Sequence, residues 1–248
     1  MQVVMGHRLL NQRSKLELNE IAKEVRACDR RCFVRLYQNI EWNGLSYTTD
    51  DLSSIRPLIS GYQEPRILLI SQAPSLQAWI NSIYNTERDG GLIGKGNSFF
   101  IKDLLPAFGL GEEDVEYFRH KVFWIHSCNC YPWFRKYRHR QDRRPTEGEI
   151  NRCLGRWLPR LISIDSIKGI VLMGEASTRL FPKLNPMRMK FTELVTRMRI
   201  RTDICPGKEI IPIYHQSRKN RVFNEQIHRG TNKKLCDLLK KKFVEWTS

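Results

Sequence analysis

Four short apolar runs constrain the fold more than any other feature of the chain: residues 66–71 (RILLIS), 122–128 (VFWIHSC), 169–174 (GIVLMG) and 209–214 (EIIPIY). Each is rich in β-branched or aromatic residues, and none alternates apolar with polar positions. A strand with one face in water must alternate, so these runs predict strands buried on both faces. Helical stretches lie between them, at 97–108, 146–162 and 177–184. Such alternation predicts a parallel sheet covered by helices, with right-handed crossovers. Thr146 and Glu149, after Pro145, have the Thr-x-x-Glu spacing of a capping box and mark a helix start.

Helices also flank the four runs. Ile21, Val25, Cys28 and Cys32 step by four, three and four residues, placing them on one helical face. A basic helix is predicted over 232–246. Residues 1–15 read as an N-terminal extension and 16–248 as a single domain, since no repeat or low-complexity linker divides them.

Open parallel sheets bind ligands beyond the carboxyl ends of their strands. The residues to read are therefore 72–75, 126–131, 175–177 and 215–220, all polar or turn-forming. The charge balance narrows the ligand. Lys and Arg number 42 against 26 Asp and Glu, a formal charge of +16, which attracts polyanions and makes nucleic acid the expected partner. The basic residues are dispersed through the chain. The segment 134–144 interleaves them with aromatics, suiting a groove that follows a nucleic-acid backbone, although a solvated loop has the same composition. No apolar run approaches the roughly 20 residues that span a bilayer, and the first residues lack a secretory pattern, so an intracellular monomer is expected. Seven cysteines in such a chain argue against a disulfide framework and leave buried thiols, a metal or a cluster. A metal-dependent hydrolase finds little support, because no His-x-x-x-His pair or carboxylate cluster has ligand spacing.

At the strand ends the sequence resembles the uracil-DNA glycosylase superfamily, closest to its iron–sulfur (family 4-like) branch. Ser71-Gln72-Ala73-Pro74-Ser75 stands at the place of that branch's Gly-Glu-Ala-Pro-Gly. Gly94-Lys95-Gly96-Asn97-Ser98-Phe99-Phe100, followed by Leu104-Leu105 and Gly109-Leu110, is similar to its Gly-rich turn and helix. Cys130-Tyr131-Pro132, then Arg144-Pro145-Thr146, Glu149-Ile150 and Cys153, follow its strand-to-helix cysteine pattern. Ile170 to Ala176 resembles its penultimate strand and turn, and His215-Gln216-Ser217 sits where the family has His-Pro-Ser. These blocks occur in order across most of the chain.

The resemblance implies a three-layer α/β/α fold with a four-stranded parallel sheet, in agreement with the strands found above. It also implies a DNA glycosylase of base excision repair, acting on single- or double-stranded DNA in the cytoplasm, nucleoid or nucleus. His215 would stabilise the charge on the departing base, and Gln72 would position water. Ala73, Pro74, Ser75, Leu92, His126 and Asn129 would contact the flipped base. Lys95, Ser177, Ser217, Arg218 and Lys219 would meet DNA phosphates, although Ser177 serves equally well as a helix cap. Cys28, Cys32, Cys130 and Cys153 would hold a structural 4Fe–4S cluster, although small core thiols account for the same spacing.

The sequence departs from the family at three of these places. Gln72 replaces a glutamate, and an amide orients water without serving as a base. His126 stands where an asparagine is usual. Leu92 replaces a stacking aromatic and has no π-face. A catalytically inactive DNA-binding protein of the same fold is therefore the alternative expectation.

Overall fold

The computed structural model describes residues 2–28, 40–42, 44–47, 64–75, 78, 93, 97–130, 144–184, 189–197, 203–216 and 218–248. Its centre is a four-stranded parallel sheet built from β3 (Ile67–Ser71), β4 (Val122–His126), β5 (Gly169–Met173) and β6 (Glu209–Ile213), in the order β4-β3-β5-β6. Two further strands, β1 (Ile40–Trp42) and β2 (Leu45–Tyr47), form a separate antiparallel hairpin.

The absence of alternation in the sequence has the expected cause, since β3, β4 and β5 are buried at every position. Side chains of alternate parity serve two cores. Ile67, Leu69, Val122, Trp124, Val171, Met173, Ile211 and Ile213 face one core. Leu104, Leu105, Phe108 and Phe118 meet them there, with Leu239, Phe243 and Trp246 from the long C-terminal helix α8 (Arg218–Thr247). Leu68, Ile70, Phe123, Ile125, Ile170, Leu172 and Ile210 face the other. That side is covered by Leu18, Ile21, Ala22 and Val25 of α1 (Gln2–Arg26), by Ile150 of α4 (Glu147–Arg152) and by Leu158 and Leu161 of α5 (Leu158–Ser163). The result is the three-layer α/β/α arrangement expected from the sequence.

The remaining helices are short. A π-helical turn, Phe100–Leu104, runs into α2 (Leu105–Ala107), and α3 (Val115–Lys121) leads into β4. One turn, α6 (Glu175–Thr178), follows β5, and α7 (Phe191–Arg197) precedes β6. The capping box at α4 forms as read: Glu149 N donates to Thr146 Oγ1 (3.3 Å) and Thr146 N to Glu149 Oε2 (2.7 Å).

Two packing details fix the outer layers. Trp246 lies so close over Gly169 that a Cβ there would sit 2.3 Å from its ring, while its Nε1 donates to Glu209 Oε2 (2.7 Å). On the opposite face, Arg160 Nε donates to Glu17 Oε1 (2.9 Å) and its NH1 to Glu24 Oε1 (2.7 Å), joining α5 to α1.

The connections define the ligand crevice. From β3 the chain crosses to the edge strand β4, and from β5 it crosses the opposite way to β6. The β3 and β5 ends therefore flank a topological switch point, where open α/β sheets take their ligands.

Candidate active site

Strand parity brings the central groups together. Ser71 and His126 are register partners at the ends of β3 and β4, on the parity of Leu69 and Trp124. His215 follows β6 two residues after Ile213, a side chain of the same core.

A packed support orients the His126 ring. It stacks on Trp124, with centroids 5.7 Å apart and planes 8° from parallel, and Trp124 Nε1 donates to Ser71 Oγ (2.9 Å). The residue is 2% exposed, and its buried Nδ1 has no hydrogen-bond partner among the described residues. Burial, aided by the nearby His215, pushes the His126 pKa down to about 3.

His215 is half-buried and stacks on Phe99, with centroids 5.4 Å apart and an interplanar angle of 21°. Burial lowers its pKa to about 4. Both imidazoles are thus neutral near pH 7. Neutral imidazole donates from one nitrogen and accepts at the other, so the pair offers hydrogen bonds without fixed positive charge. Gly174 turns the chain beside His215. Its φ of +89° strains any residue with a Cβ, and a Cβ there would lie 3.6 Å from that of His215.

The turn after β3 is tied to the turn after β4. Ser127 N donates to Ser71 O (2.7 Å), Cys128 N to Gln72 O (3.1 Å) and Ser127 Oγ to Gln72 O (2.5 Å). These bonds hold the Gln72 backbone, while the residue as a whole is half-buried. Ala73 is half-buried, Pro74 buried and Ser75 exposed, and Ser75 Oγ accepts from Ala78 N (3.2 Å).

Several expected contacts take a different form. Asn129 is fully buried, and both ends of its amide are engaged inside the protein. Oδ1 accepts from His126 N (2.9 Å) and Nδ2 donates to Cys153 Sγ (3.6 Å), so the side chain braces the turn beneath His126. Ser177 is also fully buried and donates to Gly174 O (2.7 Å), which ties its hydroxyl to the start of a one-turn helix instead of a phosphate. Glu175 pairs with Arg144 (2.5 Å) and Arg179 (2.9 Å) at the same strand end. Arg218 and Lys219 begin α8, three and four residues beyond His215. Leu92, Lys95, Ser217 and residues 131–143 lie outside the described residues.

The cysteines separate into two regions. Cys130 and Cys153 both border the core that contains Trp124, and Cys128 contacts each: it donates to the Cys153 sulfur and accepts from the Cys130 backbone. The Cys128–Cys153 hydrogen bond raises the first thiol's pKa and lowers the second's, and Asn129 N (3.3 Å) also donates to Cys153 Sγ. Cys28 lies beyond the end of α1 at Arg26, so helical spacing does not relate it to Cys32, which is outside the described residues. Among the described residues, no three His, Cys, Asp or Glu side chains are grouped to hold a metal ion. They therefore do not by themselves make a cluster site, and no chemical step is derived through one.

Sequence reading assigned no role to two residues of this site. Phe99 was visible within the Ser98-Phe99-Phe100 motif but its partner was not. Trp124 is two residues before His126, and strand alternation already placed the two rings on one face.

Comparison with curated proteins gives no match. The family model described as the uracil DNA glycosylase superfamily matches residues 60–239, a span that contains the whole parallel sheet and both histidines. The chain belongs to the uracil DNA glycosylase superfamily.

Proposed function

We propose that this chain is a monofunctional DNA glycosylase that extrudes uracil, or another deaminated base, from DNA and hydrolyses its N-glycosidic bond. The observation that carries this reading is the placement of two neutral imidazoles, His126 and His215, on one face at the carboxyl end of a superfamily sheet. The excess of basic residues supplies the attraction for the DNA backbone.

In the proposed reaction, water adds to the anomeric carbon while the C1′–N bond breaks and its electron pair leaves with the base. Neutral His215 donates a hydrogen bond to the base carbonyl as negative charge gathers there, which lowers the barrier. Gln72 orients the attacking water through its amide, and Ala73 to Ser75 line the turn beside the base. The departing base then takes up a proton, leaving an abasic site. The protein acts as a monomer wherever the cell keeps its DNA. No helix among the described residues is long and apolar enough to cross a membrane.

The test is an excision assay on uracil-containing oligonucleotides beside His215→Ala. The reading expects abasic product from the wild type and a loss of at least about 100-fold in the variant, the scale of a deleted oxyanion donor. An intact oligonucleotide across a range of salt concentrations, with a control enzyme active, defeats it. Gln72, with no carboxylate for base catalysis, favours the second reading, a DNA-binding protein without excision. That reading expects salt-dependent binding that His215→Ala leaves unchanged.

A 4Fe–4S cluster on Cys28, Cys32, Cys130 and Cys153 is a separate structural proposal, supported by the shared environment of Cys130 and Cys153. Iron and acid-labile sulfide assays on anaerobically purified protein test it.

A further inference from the structure

We infer that Phe99 is a positioning residue for base release, acting through His215, whose imidazole it holds against one face. This rests on the proposed role of His215 and adds to it the group that aims the ring.

β4 and β6 are the two edges of the sheet, so His126, at the end of one, and His215, beyond the other, are not joined by any strand pairing. Two consecutive phenylalanines reach both sides. Phe99 stacks on His215. Phe100 stacks on Trp124, with centroids 6.3 Å apart and planes 30° from parallel, and Trp124 stacks in turn on His126. Phe100 is fully buried and meets Phe118 edge-on at 5.2 Å. The segment is thereby anchored in the core, while the half-buried Phe99 beside it faces the histidine.

The local backbone explains how adjacent residues meet such different targets. Asn97 opens the segment: its Oδ1 accepts from Phe100 N (3.2 Å) and its O from Ile101 N (3.0 Å). Leu105 N then donates to Phe100 O, closing a π-helical turn that holds one residue more than an α-helical one. Successive helical residues project about 100° apart, so the extra residue rotates Phe99 and Phe100 relative to the core stripe of Leu104, Leu105 and Phe108. Turns of this kind occur frequently at functional sites.

A donor stabilises a leaving base best when its direction is fixed before the charge develops. A histidine beyond a strand end has two side-chain torsions to fix, and a ring packed flat on one face restricts both. An aromatic pair also contributes more than the apolar area it buries, so an aliphatic side chain of similar bulk is not an equivalent support.

The test is a double-mutant cycle of Phe99→Leu and His215→Ala in single-turnover excision of uracil, with rates scaled to the folded fraction. Leucine keeps apolar bulk and removes the planar face. Phe99→Leu should lower the saturating rate about tenfold or more and leave half-saturation within about twofold, the pattern of a misaimed group. Phe99→Tyr should keep the wild-type rate, and Phe99→Leu should have no further effect in the His215→Ala background. An additive cycle, or an unchanged rate in Phe99→Leu, overturns the inference. A second measurement needs no excision: the stacked phenyl should shift the His215 ring protons upfield in the NMR spectrum. That shift should persist in Phe99→Tyr and vanish in Phe99→Leu, and its absence from the wild type overturns the inference. A shifted ring in a wild type without excision would sink the glycosylase reading alone, whereas excision with an additive cycle would sink this inference alone.

Discussion

Phe99 lies stacked against His215, the rings 5.4 Å apart and 21° from parallel. This contact joins the turn before the π-helical segment to the segment that follows β6. The phenyl ring also shields one face of the imidazole from water. Phe99→Ala should therefore raise the His215 pKa from about 4 toward 6.5, followed by NMR titration. Loss of the stacked pair should also remove about 0.5–1.5 kcal/mol of stability.

The two histidines make stability depend on pH in a defined direction. Their folded pKa values, about 3 and about 4, lie below the unfolded value of 6.5. Below 6.5 the unfolded chain binds protons that the folded chain does not, so stability falls as pH drops toward those folded values. Above 6.5 both states hold neutral rings and the contribution is flat. Urea midpoints should be constant from pH 7 to 8 and fall between pH 6 and 4.5. His126→Phe should make that fall shallower by up to about 1.4 kcal/mol per pH unit. Excision should likewise show no histidine titration between pH 6 and 8.

Gly169 opens β5 beneath Trp246, where a Cβ would come within 2.3 Å of the indole. Gly169→Ala should lower stability by about 1–3 kcal/mol through overpacking. Pairing it with Trp246→Leu should recover part of that loss. Chemical denaturation of the two single variants and the double variant measures the coupling.

Arg160 links α5 to α1 through Glu17 and Glu24, and this hydrogen bond is the main cause of the lowered Glu24 pKa. The stability so gained is present above the ordinary carboxylate range and disappears as pH falls through the folded value. Because all three side chains are partly exposed, Arg160→Met should cost no more than about 1 kcal/mol per pair. Hydrogen exchange should report the change in α1 and leave β3 protected.

The sheet was legible because burial on two faces erases alternation, and each predicted strand forms within a residue or two of its expected limits. Ser127 and Cys128 leave β4 early because their N–H groups turn to Ser71 O and Gln72 O. The predicted helix over 146–162 is interrupted at Cys153, where ψ is −95°. Apolar spacing does not register that break, since Ile150 and Leu161 reach the same core on either side of it. The predicted helix over 177–184 contracts to α6 and a 3-10 turn at Pro182–Leu184. The C-terminal helix begins at Arg218, well before its apolar periodicity becomes visible.

The site was legible in its positions more than in its contacts. His126 and His215 could be located from strand ends, but the rings that hold them are contributed by Trp124 and by Phe99, a residue distant in sequence from His215. Asn129 and Ser177 have side chains suited to ligands, yet each finds a partner inside a turn. Residue type alone does not distinguish those uses, because the same amide or hydroxyl can satisfy either.

The common parity of Ser71, His126 and His215 has an evolutionary corollary. Adding or deleting one residue inside β3, β4 or β6 would swing the corresponding group to the far side of the sheet and exchange two cores at once. Strand length is therefore closed to gradual change, and so are the segments that carry Phe99 and Asn129, whose side chains hold His215 and His126. A single side-chain exchange at a strand tip, such as the one at the His126 position paired with Ser71, alters the site while leaving both cores in place.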